Sequence, residues 1–246
     1  MKQFSTFLGL HARSTLGPAA VLMAVMAAAE TGLYLYTAQT HAAADDGGLA
    51  SPQLLMQNSG ILWCCAAAFL LVTALLCLDG CSFGTQNRCT LGRLRISEKR
   101  QILFQALYNA LVYLLFAAVQ VALGFIFCRW TCTRLEGQML AGQLTMLTFY
   151  QNRLLHAFLP LADSGVWLRN LAVFAALSFV TAFFPYQHRR KRFDFSIILL
   201  AAAAVFLFPT DGNSVGMLIA LGGGALLLLL IDLYAVFGAD GGEEHA

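Results

Sequence analysis

Charge is what this chain has least of. Asp, Glu, Lys and Arg make up 11% of its 246 residues, whereas 59% are hydrophobic, and the mean hydropathy is +0.70. A water-soluble domain of that size with so little charge lacks the polar surface that keeps it in solution. The familiar catalytic patterns are missing as well. The sequence holds no G-x-x-x-x-G-K-[ST] phosphate loop, no H-E-x-x-H and no G-x-S-x-G elbow, which argues against ATP binding by that loop and against the hydrolases built on the other two. Ser164 and Gly165 with His156 define no base geometry. No C-x-x-C pair is matched by a second pair or by ligand-spaced histidines, so a zinc site is not expected. The chain is read as no enzyme, with no cofactor and no metal. Most of its cysteines read as small apolar fillers. Cys128 and Cys132, four apart, are spaced either to bridge or to stay free.

What is present is a set of six long apolar stretches, at about 18–36, 60–78, 102–127, 167–184, 195–208 and 215–237. Most reach the roughly 20 residues that a helix rising 1.5 Å per residue needs to cross about 30 Å of hydrocarbon. Backbone groups in lipid must be satisfied internally, so such spans are helices. The expected fold is all-α: a polytopic integral membrane protein forming one transmembrane domain over residues 1–246, with six spans, a cytoplasmic loop at 79–101 and an outer loop at 128–166.

Basic residues orient it. Lys2 and Arg13 precede the first span; Arg88, Arg93, Arg95, Lys99 and Arg100 fill the link between spans two and three; Arg189, Arg190, Lys191 and Arg192 fill that between four and five. With six crossings these links share one side. The other side holds Arg129, Arg134, Arg153 and Arg169 together with Asp45, Asp46, Glu136, Asp163 and Asp211. The positive-inside rule then puts both termini in the cytoplasm of a cell-membrane protein. Trp63, Trp130 and Trp167 all fall at the outer interface in this topology, where amphipathic rings favour the headgroup zone. The first apolar run, preceded by basic residues and followed by His41-Ala42-Ala43-Ala44, also has features of a secretory signal. Its length and Glu30 favour a retained helix. Ahead of it, Phe4, Phe7, Leu8 and His11 share one helical face, as a short interfacial helix would; a disordered tail is the alternative.

Polar groups inside spans point to function, because an unpaired one in lipid is costly. On span three, Gln105, Asn109, Tyr113, Phe116 and Gln120 fall within about 80° of one another at helical spacing, opposite Leu107, Leu111, Leu114, Leu115 and Ala118. Interhelical hydrogen bonding, at roughly 0.6 to 2 kcal/mol per contact, accounts for such a stripe; so does the lining of a substrate path. Glu30, in span one, is expected to face the bundle, carry a proton or meet water in a cavity. Asp232 is expected to reach the cytoplasmic interface. Gly222, Gly223 and Gly224 permit close backbone approach or a bend in span six. In the outer loop, Leu135, Met139, Leu140, Leu144, Met146 and Leu147, and then Leu154, Leu155, Phe158 and Leu159, predict one or two amphipathic helices lying on the membrane or capping the bundle.

The most distinctive polar segment is the link entering span three. Ser97 suits a helix N-cap and Glu98 the positive helix end, while Leu91, Leu94 and Ile96 interleave with Arg93 and Arg95. Thr90-Leu91-Gly92 and Ile96-Ser97-Glu98-Lys99 resemble the corresponding loop in permeases of ABC-2 type transporters. His156-Ala157-Phe158-Leu159-Pro160-Leu161 followed by Trp167-Leu168-Arg169-Asn170 looks like permease subunits of small Gram-positive multidrug or peptide exporters. The short fifth span departs from the common pattern. The resemblance implies the permease subunit of an ATP-driven exporter of a small molecule, peptide or lipid-like cargo. ATP hydrolysis would lie on a separate ABC ATP-binding subunit, and a second permease would complete a homo- or heterodimer. Residues Thr90, Leu91, Gly92, Arg93, Leu94, Arg95, Ile96, Ser97, Glu98 and Lys99 would dock the ATPase; Glu30, Gln105, Asn109, Tyr113 and Gln120 would line the path or the bundle interior. The alternative is a six-helix sensor, channel or anchoring scaffold without an ATPase. Nucleic acid is not an expected partner, because the basic clusters hug the span ends; membrane lipid is.

Overall fold

The computed structural model describes residues 9, 12–44, 51–80, 97–134, 141–160, 163–189, 195–207 and 215–237. Among them all regular structure is helical. A π-helical turn, Ala12–Leu16, leads into α1 (Gly17–Ala44), whose Pro18 sits in the first turn, where a missing N–H costs nothing. Then follow α2 (Pro52–Asn58), α3 (Ile61–Gly80), α4 (Glu98–Arg134), α5 (Ala141–Gln151), α6 (Arg153–Phe158), α7 (Ser164–Arg189), α8 (Ser196–Leu207) and α9 (Val215–Phe237). Four helices, α1, α3, α4 and α7, are long and apolar enough to cross a membrane; α8 and α9 carry shorter apolar stretches. The expected N-terminal interfacial helix and residues 90–96 of the cytoplasmic loop lie outside the described residues.

Local sequence sets the helix ends. Ser51 Oγ accepts the Leu54 N–H at 3.4 Å, with Pro52 opening α2. Asn152 Oδ1 accepts the N–H groups of Leu154 and Leu155 at 3.0 and 3.2 Å, and Asp163 Oδ1 those of Gly165 and Val166; each satisfies donors that a first turn leaves orphaned. At the start of α4, the Ser97 carbonyl accepts from Arg100 and Gln101. Glu98 lies in the first turn and Arg134 in the last, both matched in sign to the helix dipole.

α4 is longer than expected. Its 37 residues make a rod of about 55 Å, so Cys128–Arg134, assigned above to the outer loop, belongs to the helix. The reason is packing: Phe127, Cys128 and Thr131 are buried, Tyr34 of α1 stacks on Phe127 at 4.5 Å, and Trp130 meets Tyr34 edge-on at 6.1 Å. Cys128 and Cys132 are not joined in a disulfide.

Side-chain contacts give helix direction. From α1 to α4, Thr15 meets Tyr108, Glu30 meets Gln120, and Tyr34 meets Thr131, so the two run parallel. Thr73 meets Tyr113 whereas Phe69 meets Phe116, so α3 runs against α4. Thr181 meets Asn109 whereas Phe174 meets Tyr113, so α7 also runs against α4. Gly222 lies beside Arg169, while Leu229 and Leu233 pack on the cluster of Phe179 and Phe183, making α9 parallel to α7. A Cβ at Gly222 would meet the Arg169 Cα at 3.6 Å, an ordinary van der Waals contact, so the two helices pack side by side there. α7 forms the centre, against α3, α4, α8 and α9; 72% of its apolar stretch is buried, against 22% of that in α1. The perimeter is apolar, with Val21, Val25, Leu70, Leu71, Leu168 and Leu171 exposed among many others. In water that surface would aggregate; hydrocarbon covers it at no cost.

Candidate functional site

The inner face of α4 holds the polar stripe, and its opposite face holds exposed Leu107, Leu111, Leu114 and Leu115. Each stripe residue has a separate role. Asn109 donates from Nδ2 to Thr181 Oγ1 on α7 at 2.9 Å, and the Thr181 hydroxyl donates to the Leu177 carbonyl. Tyr113 donates to Thr73 Oγ1 on α3 at 3.2 Å, and Thr73 donates to the Phe69 carbonyl. These two links are closed: a donor, a hydroxyl relay and a helix carbonyl, all buried. Phe116 packs edge-on against Phe69 at 6.0 Å. Gln105 is half-buried, and its Nε2 has no partner.

Gln120 differs from Asn109 and Tyr113. Its Nε2 donates to Glu30 Oε1 on α1 at 2.8 Å and to Met26 Sδ at 3.1 Å. Glu30 is 0% exposed, and its second oxygen, Oε2, has no hydrogen-bond partner. Both residues stand in the wall of a cavity of ≈ 350 Å³ bounded by α1, α2, α3, α4 and α6. Apolar walls come from Met56, Ile61, Leu62, Leu123 and Phe127; Gln57, Asn152 and Arg153 add polar groups. Gln57 and Arg153 are exposed, so the space opens at the protein surface, and Glu30, itself without solvent exposure, stands in its wall. The structure therefore brings Glu30 and Gln120 together and leaves Asn109, Tyr113 and Gln105 outside the lining.

Short helices close this cavity. α5 and α6 pack on α4, and Leu155 of α6 sits where a Gly124 side chain would be: a Cβ there would fall 2.5 Å from Leu155 Cδ2. Asn170 of α7 donates to the Ala157 carbonyl at 2.6 Å, while Arg169 Nε and Nη2 donate to Asn170 Oδ1 at 3.3 and 3.1 Å. The lid is thus tied to the central helix. Two amphipathic helices capping the bundle were among the expectations from the outer loop. Missed were α2 with Gln57, and Asn152, whose place two residues ahead of Leu154 is a readable N-cap signal.

Asp232 corrects a reading made from position alone. It is 4% exposed, turned into the bundle rather than out to the interface, because α9 lies parallel on α7 and presents that face to it. Of the loop residues proposed above to dock an ATPase, Ser97, Glu98 and Lys99 fall within the structure: Ser97 and Glu98 are exposed and Lys99 is half-buried at the start of α4. Thr90, Leu91, Gly92, Arg93, Leu94, Arg95 and Ile96 lie outside the described residues. Among the described residues no group of three or more His, Cys, Asp or Glu side chains is placed to hold a metal ion. No protein-family model matches the chain, and neither a curated protein nor a solved structure matches it.

Proposed function

We propose that the chain is the six-span permease subunit of an ATP-driven transporter, that ATP is hydrolysed by a separate ABC subunit, and that both its termini are cytoplasmic. The observation that carries this reading is the Glu30–Gln120 cavity. An apolar bundle that only anchors has no use for a surface-connected space ending on a buried carboxylate, since each polar group placed there costs stability in lipid. Support for six crossings comes from helix direction. α7 and α9 are parallel, so the chain between them has to return along the bundle, and α8 is the apolar helix available to do it. The 12 residues of α8 cover about 18 Å of that return. Support for coupling comes from α4, a single helix joining the Ser97–Lys99 end to Gln120.

The test is copurification. Tagged protein taken from its native membrane is expected to bring down an ATP-binding-cassette subunit, and Arg93→Glu with Arg95→Glu is expected to uncouple that subunit's ATP hydrolysis from transport while the chain still inserts. The buried links at Asn109–Thr181 and Tyr113–Thr73 equally suit a rigid sensor, channel or anchoring scaffold. Failure to recover any ATPase after cross-linking, or a double variant that copurifies and transports as the unmodified chain does, decides for that reading or against the docking loop, respectively.

A further inference from the structure

From the same cavity we infer a ligand class: Glu30 binds the ammonium group of a small amphiphilic organic cation whose apolar part lies along α3 and α6. The inference rests on the transport reading above and adds to it what the site holds.

Glu30 Oε1 takes the Gln120 amide and Oε2 takes no donor, so one full acceptor faces inward on a side chain with no exposure. A carboxylate oxygen in such a place needs a positive partner, either a proton or a cationic group. The surroundings choose among cations. Ca²⁺ and Mg²⁺ take six or more oxygens, this cavity offers a single carboxylate with the amides of Gln57, Gln120 and Asn152, and among the described residues no group of three or more His, Cys, Asp or Glu is placed to hold a metal ion. Most of the remaining wall is aliphatic or aromatic, which suits a carbon skeleton. The volume of ≈ 350 Å³ lies in the range of small-molecule sites, about 300 to 1,000 Å³. A second, smaller crevice of ≈ 50 Å³ shares Leu62 and Leu154 with it and is walled by Phe69, Phe116, Phe158 and Phe174. A charged head at Glu30 and an aromatic or alkyl body towards Leu62 and Leu154 would fill the space in keeping with its chemistry. The amide of Gln120 holds Oε1 in place, and Oε2 is the oxygen left without a donor. Arg153, the cation of the lining, has an exposed side chain, whereas that of Glu30 is fully buried.

The probe is 2-phenylethylammonium, with 2-phenylethanol as its neutral counterpart, measured by equilibrium binding to the full chain in nanodiscs against empty nanodiscs. Saturable binding of the ammonium at one site per chain is expected, with the alcohol weaker by about tenfold or more, the ratio that a charge-assisted hydrogen bond represents. Glu30→Gln is expected to erase that preference, and Leu154→Trp, which fills the space but keeps the carboxylate, to abolish saturable binding. Equal affinity for amine and alcohol in the unmodified chain overturns the inference and assigns Oε2 to a proton, as does ammonium binding unchanged in Glu30→Gln. If either variant does not fold, the amine-to-alcohol ratio of the unmodified chain decides by itself. No ATPase enters this assay, so a negative result leaves the copurification test standing, and loss of the ATPase partner leaves a positive result standing.

Discussion

Replacing Gln120 by Leu isolates the one polar contact that joins the cavity to the bundle. The substitution keeps the volume close to that of the amide but removes the donor that lies 2.8 Å from Glu30 Oε1 and 3.1 Å from Met26 Sδ. Glu30 is then left with neither oxygen paired. Stranding a buried acceptor costs about 1–3 kcal/mol, while interhelical hydrogen bonds in membrane proteins measure about 0.6–2 kcal/mol. The overlap sets the expected loss at about 1–2 kcal/mol of unfolding free energy. Leu115→Ile, on the exposed face of the same helix, is expected to stay within about 0.5 kcal/mol. The assay is reversible unfolding by dodecyl sulfate in mixed micelles, followed by circular dichroism. A double-variant cycle with Glu30→Gln separates the pair from the helix, with an expected coupling of about 0.5–2 kcal/mol. If the two substitutions add to within about 0.3 kcal/mol, or Leu115→Ile costs as much as Gln120→Leu, the pair does not join α1 to α4 and the assignment of the inner face fails.

Gly124→Ala places a methyl 2.5 Å from Leu155 Cδ2 and 3.3 Å from Phe149 Cζ; an overpacking loss of about 1–3 kcal/mol is expected, with Leu155→Ala in the same chain restoring part of it in the same unfolding assay. Tyr113→Phe removes a buried donor whose acceptor, Thr73, keeps its own bond to Phe69, so the loss is expected at the low end for a hydrogen bond, about 0.5–1 kcal/mol. For the topology, single cysteines at positions 45 and 163 in a cysteine-free background are expected to react with an impermeant maleimide on intact cells; labelling only after permeabilisation reverses the orientation.

Much of this arrangement is legible in residue order, and the boundary of what is legible has a physical cause. Leu107, Leu111, Leu114 and Leu115 declare the outer face of α4 because helical periodicity is a local property. Asn109 and Gln120 declare the inner face for the same reason. Their partners are not declared: Thr181 and Glu30 lie 72 and 90 positions away, and any of several polar residues would satisfy an amide equally well. The far end of α4 was read short because Arg129 and Arg134 look like loop residues, whereas burial of Cys128 and Thr131 against Tyr34 carries the helix past them. Asp232 was misplaced because distance from a chain end says nothing about the side of a helix that meets its neighbour. α2 escaped for another reason: it is 7 residues long, too short for periodicity to register.

α1 and α4 run side by side in the same direction and are pinned at three heights, by Thr15 with Tyr108, Glu30 with Gln120, and Tyr34 with Thr131. Sliding one helix along the other by a single residue, about 1.5 Å, would break all three pins together, so the pair behaves as one beam. Between α4 and α7 the seam holds a hydrogen bond from Asn109 to Thr181, set towards the Ser97 end of α4. A force applied at that end is therefore carried along the beam to the lid without being absorbed between α1 and α4. The cavity takes one wall from each of the two helices, at Glu30 and Gln120, so those two walls move together.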